Sequence, residues 1–231
     1  MICITGDMHH EFSRFTRANF PRQTQMTKDD YVIICGDFGG ILDGSIPEQE
    51  LLDALNSLPF TLLFLDGDHE NFSLLESYPV SEWHGGKVQF IRSSVIHLMR
   101  GQVYQLDGKS FFTMGGALSL YMEYLIENEG WWQHELPLPE EYGQAIFNLQ
   151  KAQFQVDYIL THTCPDTVLT QLYGDAAQSD ELTIFLDQVR KMTTFRRWFY
   201  GHHHQDRTDG AFTQLYKNFY FLEEESGQNS C

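Results

Sequence analysis

Short apolar runs, each stopped by a glycine, an aspartate or a histidine, recur along this chain and limit the folds open to it. Residues 2–4 run into Thr5-Gly6-Asp7, residues 31–35 into Gly36-Asp37, and residues 60–65 into Asp66-Gly67-Asp68. Continuous apolar runs of this length fit β-strands covered on both faces. Asp37 follows Asp7 by 30 residues and Asp68 follows Asp37 by 31, close to the roughly 30 residues of one strand–crossover–strand unit. The spacing predicts neighbouring parallel strands whose carboxyl ends carry the aspartates, the edge where open α/β sheets bind ligands.

The same rhythm returns late in the chain. Residues 156–160 form a predicted strand ending in Thr161-His162, and 198–200 one ending in Gly201-His202-His203-His204. Between the two halves the pattern turns more β-like, with strands expected at 88–91, 94–99, 102–106 and 110–114 and an Asp107-Gly108 hairpin signal. Helices are expected at 47–58, 139–153 and 181–192, and a closing strand at 218–222. Residues 1–222 read as one domain, with an irregular aromatic-rich insert at about 117–137, and 223–231 as a frayed polar tail.

Composition narrows the partners. Fifteen basic against 32 acidic residues give a formal charge of −17, which repels nucleic-acid phosphates, so nucleic acid is not expected as a stable partner. No apolar run approaches the roughly 20 residues of a membrane span, and no secretory signal is read at the start. The cysteines at 3, 35, 164 and 231 are scattered without zinc-ribbon spacing, which predicts reduced thiols and a cytoplasmic location. Nothing in the sequence speaks to oligomeric state.

Five strand-end patterns carry the chemistry: Asp7-Met8-His9, Gly36-Asp37, Gly67-Asp68-His69-Glu70, Thr161-His162 and Gly201-His202-His203-His204. Imidazole and carboxylate together suit first-row divalent metals such as Mn, Fe and Zn. Two such ions roughly 3.5–4 Å apart can clamp the attacking and leaving oxygens of a phosphoryl group. The glycines before Asp37, Asp68 and His202 are expected to let the chain turn sharply and to leave room for a ligand. Taken singly, each pattern also fits a plain turn, a core histidine or an exposed loop.

Taken together and in this order, the five patterns resemble the calcineurin-like metallophosphoesterase superfamily, whose signature is D-x-H, GD, GN-H-D/E, H and G-H-x-H. The resemblance runs from Asp7 to His204. It implies a four-layer α/β sandwich of two mixed β-sheets flanked by helices, with a metal site at the carboxyl ends of strands. It further implies a phosphoesterase that cleaves a phosphomonoester or phosphodiester with a hydroxide bridging two divalent ions, Mn or Fe ahead of Zn. By the same resemblance Asp7, His9 and His204 would bind one ion and Asp68, His162 and His202 the other. Asp37 would bridge them, and His69 would protonate the leaving oxygen. A catalytically inactive scaffold of the same fold is the alternative.

The chain departs from that signature at three places. Asp68 stands where the family usually has Asn, the Gly-Asp motif continues as Phe38-Gly39-Gly40, and Asp66 takes the position of an Arg found in protein phosphatases. The last two count against a protein phosphatase. The first alters the charge: three aspartates, two divalent ions and one hydroxide sum to zero, which predicts weaker attraction for a phosphate dianion. Arg100 could reach substrate phosphate or be a solvated turn residue. Glu70 could orient His69 or cap the following helix, the cap being favoured. Tyr121, Tyr124, Trp131 and Trp132 could stack on a substrate ring or pack an inserted loop. His203 is expected to point away from the metals, and Cys164 to be a structural thiol.

Overall fold

The computed structural model describes residues 1–119, 133–174 and 177–222. The aromatic residues 121, 124, 131 and 132, Cys231 and the polar tail lie outside them.

The first sheet holds β1 (Ile2–Thr5), β2 (Tyr31–Ile34), β3 (Thr61–Phe64), β4 (Val80–Trp83), β5 (Gly86–Arg92) and β6 (Val95–Leu98). The second begins with β7 (Gln102–Leu106) and β8 (Lys109–Met114), followed by β9 (Tyr158–Thr161), β10 (Arg197–Tyr200), β11 (Arg207–Asp209) and β12 (Phe212–Gln214). The last strand, β13 (Tyr220–Leu222), returns to the first sheet. The spatial orders are β13-β1-β2-β3-β6-β5-β4 and β11-β12-β10-β9-β8-β7. In each sheet four adjacent strands are parallel, β1-β2-β3-β6 and β12-β10-β9-β8, and antiparallel strands border them on both sides.

Side-chain alternation builds the layers. Ile2, Ile4, Ile33 and Leu63 face Tyr104, Phe111, Leu160 and Phe199 in a core between the sheets. Their neighbours Cys3, Val32, Ile34, Leu62 and Phe64 point the other way, onto Phe15, Phe20, Leu52 and Leu55. Phe112, Met114, Ile159 and Trp198 likewise turn outward onto Leu149, Leu169, Leu182 and Leu186. The central strands of both sheets are therefore dry on both faces, which is why they read as continuous apolar runs rather than as alternation, while the edge strands β4 and β11 are not.

Among the described residues, five α-helices cover the outer faces: α1 (Ile46–Asn56), α2 (Phe72–Leu75), α3 (Pro139–Lys151), α4 (Asp166–Tyr173) and α5 (Glu181–Met192). Ser45 caps α1, with Pro47 in its first turn. Asp180 caps α5 by accepting the Thr183 N–H at 2.8 Å. No described helix is long and apolar enough to cross a membrane.

The expected strands and the three expected helices are present with shifted ends. The strands behind His162 and His202 are β9 and β10 of the second sheet, so the two mixed sheets that the resemblance implies share the site. Both sheets direct the carboxyl ends of parallel strands to one shared edge.

Candidate metal centre

At that edge the loops after β1, β2 and β3 meet the loops after β9 and β10. Met8 N–H and His9 N–H both donate to the Asp37 carbonyl at 3.0 Å, joining the first two loops. His202 N–H donates to Asp7 Oδ1 at 3.0 Å and ties the two sheets together, while Gly201 N–H donates to the His162 carbonyl at 2.8 Å and joins the two loops of the second sheet.

The chain needs unusual backbone here. His9, Asp37, His202 and His204 have φ of 43°, 49°, 66° and 51°, a left-handed region that costs a non-glycine residue roughly 1–2 kcal/mol. Three glycines make the crowding possible, though not as expected. A Cβ on Gly36 would fall 2.0 Å from His162 Nδ1, one on Gly67 2.1 Å from Asp37 Oδ1, and one on Gly201 2.1 Å from Asp7 Oδ1. The room each glycine leaves is filled by a side chain of another strand-end motif, not by a ligand.

The seven residues Asp7, His9, Asp37, Asp68, His162, His202 and His204 converge. Asp7, His9, Asp37 and His204 form one group able to hold a cation, and Asp68, His162 and His202 a second. Within each group the candidate ligand atoms lie within 4.8 Å of one another. Asp37 spans the two: its Oδ2 is 3.4 Å from His9 Nε2 and its Oδ1 is 3.5 Å from His162 Nε2. The Nε2 atoms of His9 and His204 stand 2.7 Å apart.

Outer contacts aim these groups. His162 Nδ1–H donates to the Cys35 carbonyl at 2.8 Å, which turns Nε2 toward Asp68 at 3.0 Å. His202 Nδ1 lies 3.2 Å from Asp68 Oδ1. His69 N–H donates to Asp37 Oδ1 at 3.0 Å, while its half-exposed imidazole stands 3.6 Å from Asp68 Oδ2.

Three carboxylates buried to 2% exposure or less share this space. Burial, reinforced by Asp37, pushes the Asp7 carboxyl above its usual range. Burial works against Asp68 too, but hydrogen bonds from His162 and His202 outweigh it and hold the group well below. Burial opposes charge on His162, and Asp37 and Asp68 overcome it and raise the imidazole well above its usual value. Asp7 Oδ2 is buried without a hydrogen-bond partner. An orphaned carboxylate oxygen beside two converging imidazoles is the donor set a divalent cation satisfies.

Several residues that carry no motif complete the site. Arg14 donates to the carbonyls of Gly6, Asp7 and Tyr216 at 3.3, 2.9 and 2.6 Å and so fastens the Asp7 loop. Ser119 Oγ donates to Asp68 Oδ2 at 3.2 Å. Glu70 neither caps a helix nor touches His69. Its Oε1 accepts the Phe38 N–H at 2.6 Å, and Asn71 caps α2 instead. Complete burial, together with Asp37, raises the Glu70 carboxyl well above its usual range. His203 turns from both groups and packs on Tyr173 with ring centroids 4.8 Å apart. Burial lowers its imidazole to about 3. Cys164 is buried in the outer core of the second sheet.

Arg100 lies elsewhere. Its guanidinium is buried against Asp66 at 2.6 Å and Glu141 at 3.3 Å, and it donates to the carbonyls of His134 and Glu135 at 2.8 and 3.2 Å. With its donors engaged by the protein, it does not face the centre, and it is not a solvated turn residue either.

No curated protein sequence matches the chain. The family model described as calcineurin-like phosphoesterase matches residues 1–206. The chain belongs to that family. Its two mixed sheets flanked by helices are the fold of the calcineurin-like phosphoesterases. Among solved structures, one from Staphylococcus aureus described as a 5'-nucleotidase in complex with alpha-ketoglutarate aligns with a TM-score of 0.48 and 15% identity. That alignment covers 94% of this phosphoesterase and 48% of the other chain, so this chain spans about half the length of that protein.

Proposed function

We propose that this phosphoesterase hydrolyses a phosphate ester at a centre of two divalent ions. One ion is assigned to Asp7, His9 and His204, the other to Asp68, His162 and His202, with Asp37 shared. The observation that carries this reading is Asp37 itself, whose two oxygens lie 3.4 and 3.5 Å from imidazoles of different groups. Manganese or iron is favoured over zinc, because the set mixes three carboxylates with four imidazoles and contains no thiolate. Bound ions would supply an activated water and neutralise the phosphate oxygens.

The remaining work falls to the chain. The His162–Cys35 hydrogen bond fixes which ring nitrogen is free. His69 is held by its main chain on Asp37 and carries an exposed imidazole at the edge of the centre. It delivers the proton that the leaving alkoxide requires. Dry cores on both faces of both sheets keep the groups from spreading. The phosphoesterase domain is assigned to residues 1–222, with the tail outside it. Three buried free thiols suit a reducing compartment, and the cytoplasm is the proposed location.

Metal analysis of the purified chain, joined to a screen of phosphomonoesters and phosphodiesters, tests the reading. Two ions per chain are expected, together with turnover that Asp37→Asn lowers more than any other ligand change. One ion or none after loading with Mn, or Asp37→Asn turnover equal to wild type, would refute it.

A further inference from the structure

A cavity of about 510 Å³ opens beside the centre, within the roughly 300–1,000 Å³ of small-molecule sites. Asp37, Asp68, His69 and His202 to His204 form one wall. The rest of the lining comes from Leu118, from Leu169 and Tyr173 of α4, and from Ala177, Gln178 and Asp180. A group bonded to phosphate at the centre would enter this space.

The charge of the cavity is its distinguishing property. None of its described lining residues is Lys or Arg. The residues outside the described set, 120–132, 175–176 and 223–231, contain no Lys or Arg in sequence, so none of them can supply one. Arg14 is bound by carbonyl oxygens, and Arg100 is buried on Asp66 and Glu141. Away from the centre the lining carries one carboxylate, Asp180, with the uncharged Thr163, Gln178 and Thr183 and the apolar Leu118, Leu169 and Ala177. Apart from the imidazoles of the centre, positive charge for substrate phosphate therefore comes from bound ions, and the three buried aspartates already offset most of theirs.

Resting on the two-ion reading above, we infer that the substrate class is a monoanionic phosphodiester with an uncharged, largely apolar group of small-molecule size. A phosphomonoester dianion brings a second negative charge that no side chain balances. A nucleoside polyphosphate or a sugar bisphosphate would also place anionic groups near Asp180, with no Lys or Arg in the lining to balance them.

The test uses the full-length chain loaded with Mn at about pH 8, where a monoester, with a second pKa of about 6, is a dianion. Steady-state kinetics on bis(4-nitrophenyl) phosphate and 4-nitrophenyl phosphate give the selectivity. Calorimetry with diphenyl phosphate and phenyl phosphate gives affinity apart from turnover. The expected result is a kcat/KM at least about tenfold higher for the diester, the effect of one charge at about 10 Å and an effective dielectric near 20. Diphenyl phosphate should bind more tightly than phenyl phosphate. Gln178→Arg, which puts a cation in the lining of the cavity, should move both ratios toward the monoester by about the same factor. Preferred turnover and binding of the monoester would overturn this inference and leave the hydrolase reading standing. So would a Gln178→Arg protein of wild-type melting temperature whose ratios are unchanged. Failure to cleave either ester with two ions bound would overturn both.

Discussion

Replacing Arg100 with Ala distinguishes a structural cation from a substrate-binding one. The guanidinium is 6% exposed and sits 2.6 Å from Asp66, which is 1% exposed. Truncation leaves the Asp66 carboxylate with only the hydrogen bond to the His97 imidazole at 3.0 Å among its side-chain partners, and frees the carbonyls of His134 and Glu135. Breaking a buried pair from one side costs about 3–5 kcal/mol. For a chain of this length each kcal/mol lowers Tm by roughly 2–4 °C, so a fall of about 6–20 °C is expected. The pH dependence follows from Asp66. Burial raises its carboxyl, and Arg100 and His97 more than reverse that and leave it well below the usual range. A depressed carboxylate contributes fully above its unfolded pKa of about 3.9 and loses that contribution as pH falls through the folded value. The gap between wild type and variant should stay wide from neutral pH to about pH 4 and narrow below it. Urea and thermal unfolding measure the gap, and kinetics at a temperature where the variant stays folded should return the wild-type KM. Asp66→Asn combined with Arg100→Met should recover much of the loss, since an apolar or neutral replacement leaves no orphaned charge. Wild-type unfolding together with a KM raised about tenfold or more, as for a lost phosphate contact, would refute the structural assignment.

His69→Ala should keep both ions and lower kcat by about 10²–10⁴-fold, the range for losing a general acid, and loss of metal in this variant would show that the role is misassigned. Gly36→Ala puts a methyl 2.0 Å from His162 Nδ1 at a φ of +90°, so it should cost at least about 2 kcal/mol in urea unfolding and lower metal content. Chelation should lower Tm, and free Mn at a hundred times its Kd should restore about 2.7 kcal/mol per ion, whereas a chelator-insensitive Tm would argue against metal binding. Asp68→Asn should weaken one ion and raise kcat/KM for a monoester relative to a matched diester. An unchanged ratio at verified occupancy would refute the charge assignment.

Legibility followed solvation. β1, β2, β3, β9 and β10 are buried on both faces, so their sequences announce them. The edge strand β4 alternates between exposed and half-buried and reads as polar loop, and helix α4 has only eight residues directly after a histidine motif. The β11–β12 hairpin did carry an Asp209-Gly210 turn signal, but its flanks are polar and too short to register as strands. Membership of two sheets was beyond periodicity, because a strand covered by another sheet is as apolar as one covered by helices. The seven convergent residues stood out because their five strand-end patterns occur together and in one order, each alone being compatible with a plain turn or a core histidine. Arg14 gave no signal, since its partners are main-chain carbonyls, which every residue carries. The purpose of the glycines was half legible: sequence marks the turn, and only geometry shows whose side chain fills the space.

The interlock of glycines and side chains has a kinetic consequence. His162 meets the Cys35 carbonyl across 127 residues of chain, and His9 meets His204 across 195. Such closures carry a loop entropy that is spent before any contact repays it, which makes them slow and late. A refolding chain therefore has no complete cation nest until its two halves have docked. Adding Mn during refolding should barely change the folding rate and should slow unfolding instead, as for contacts formed after the transition state. Metal capture would then act as a latch on a finished molecule rather than as a seed for building it.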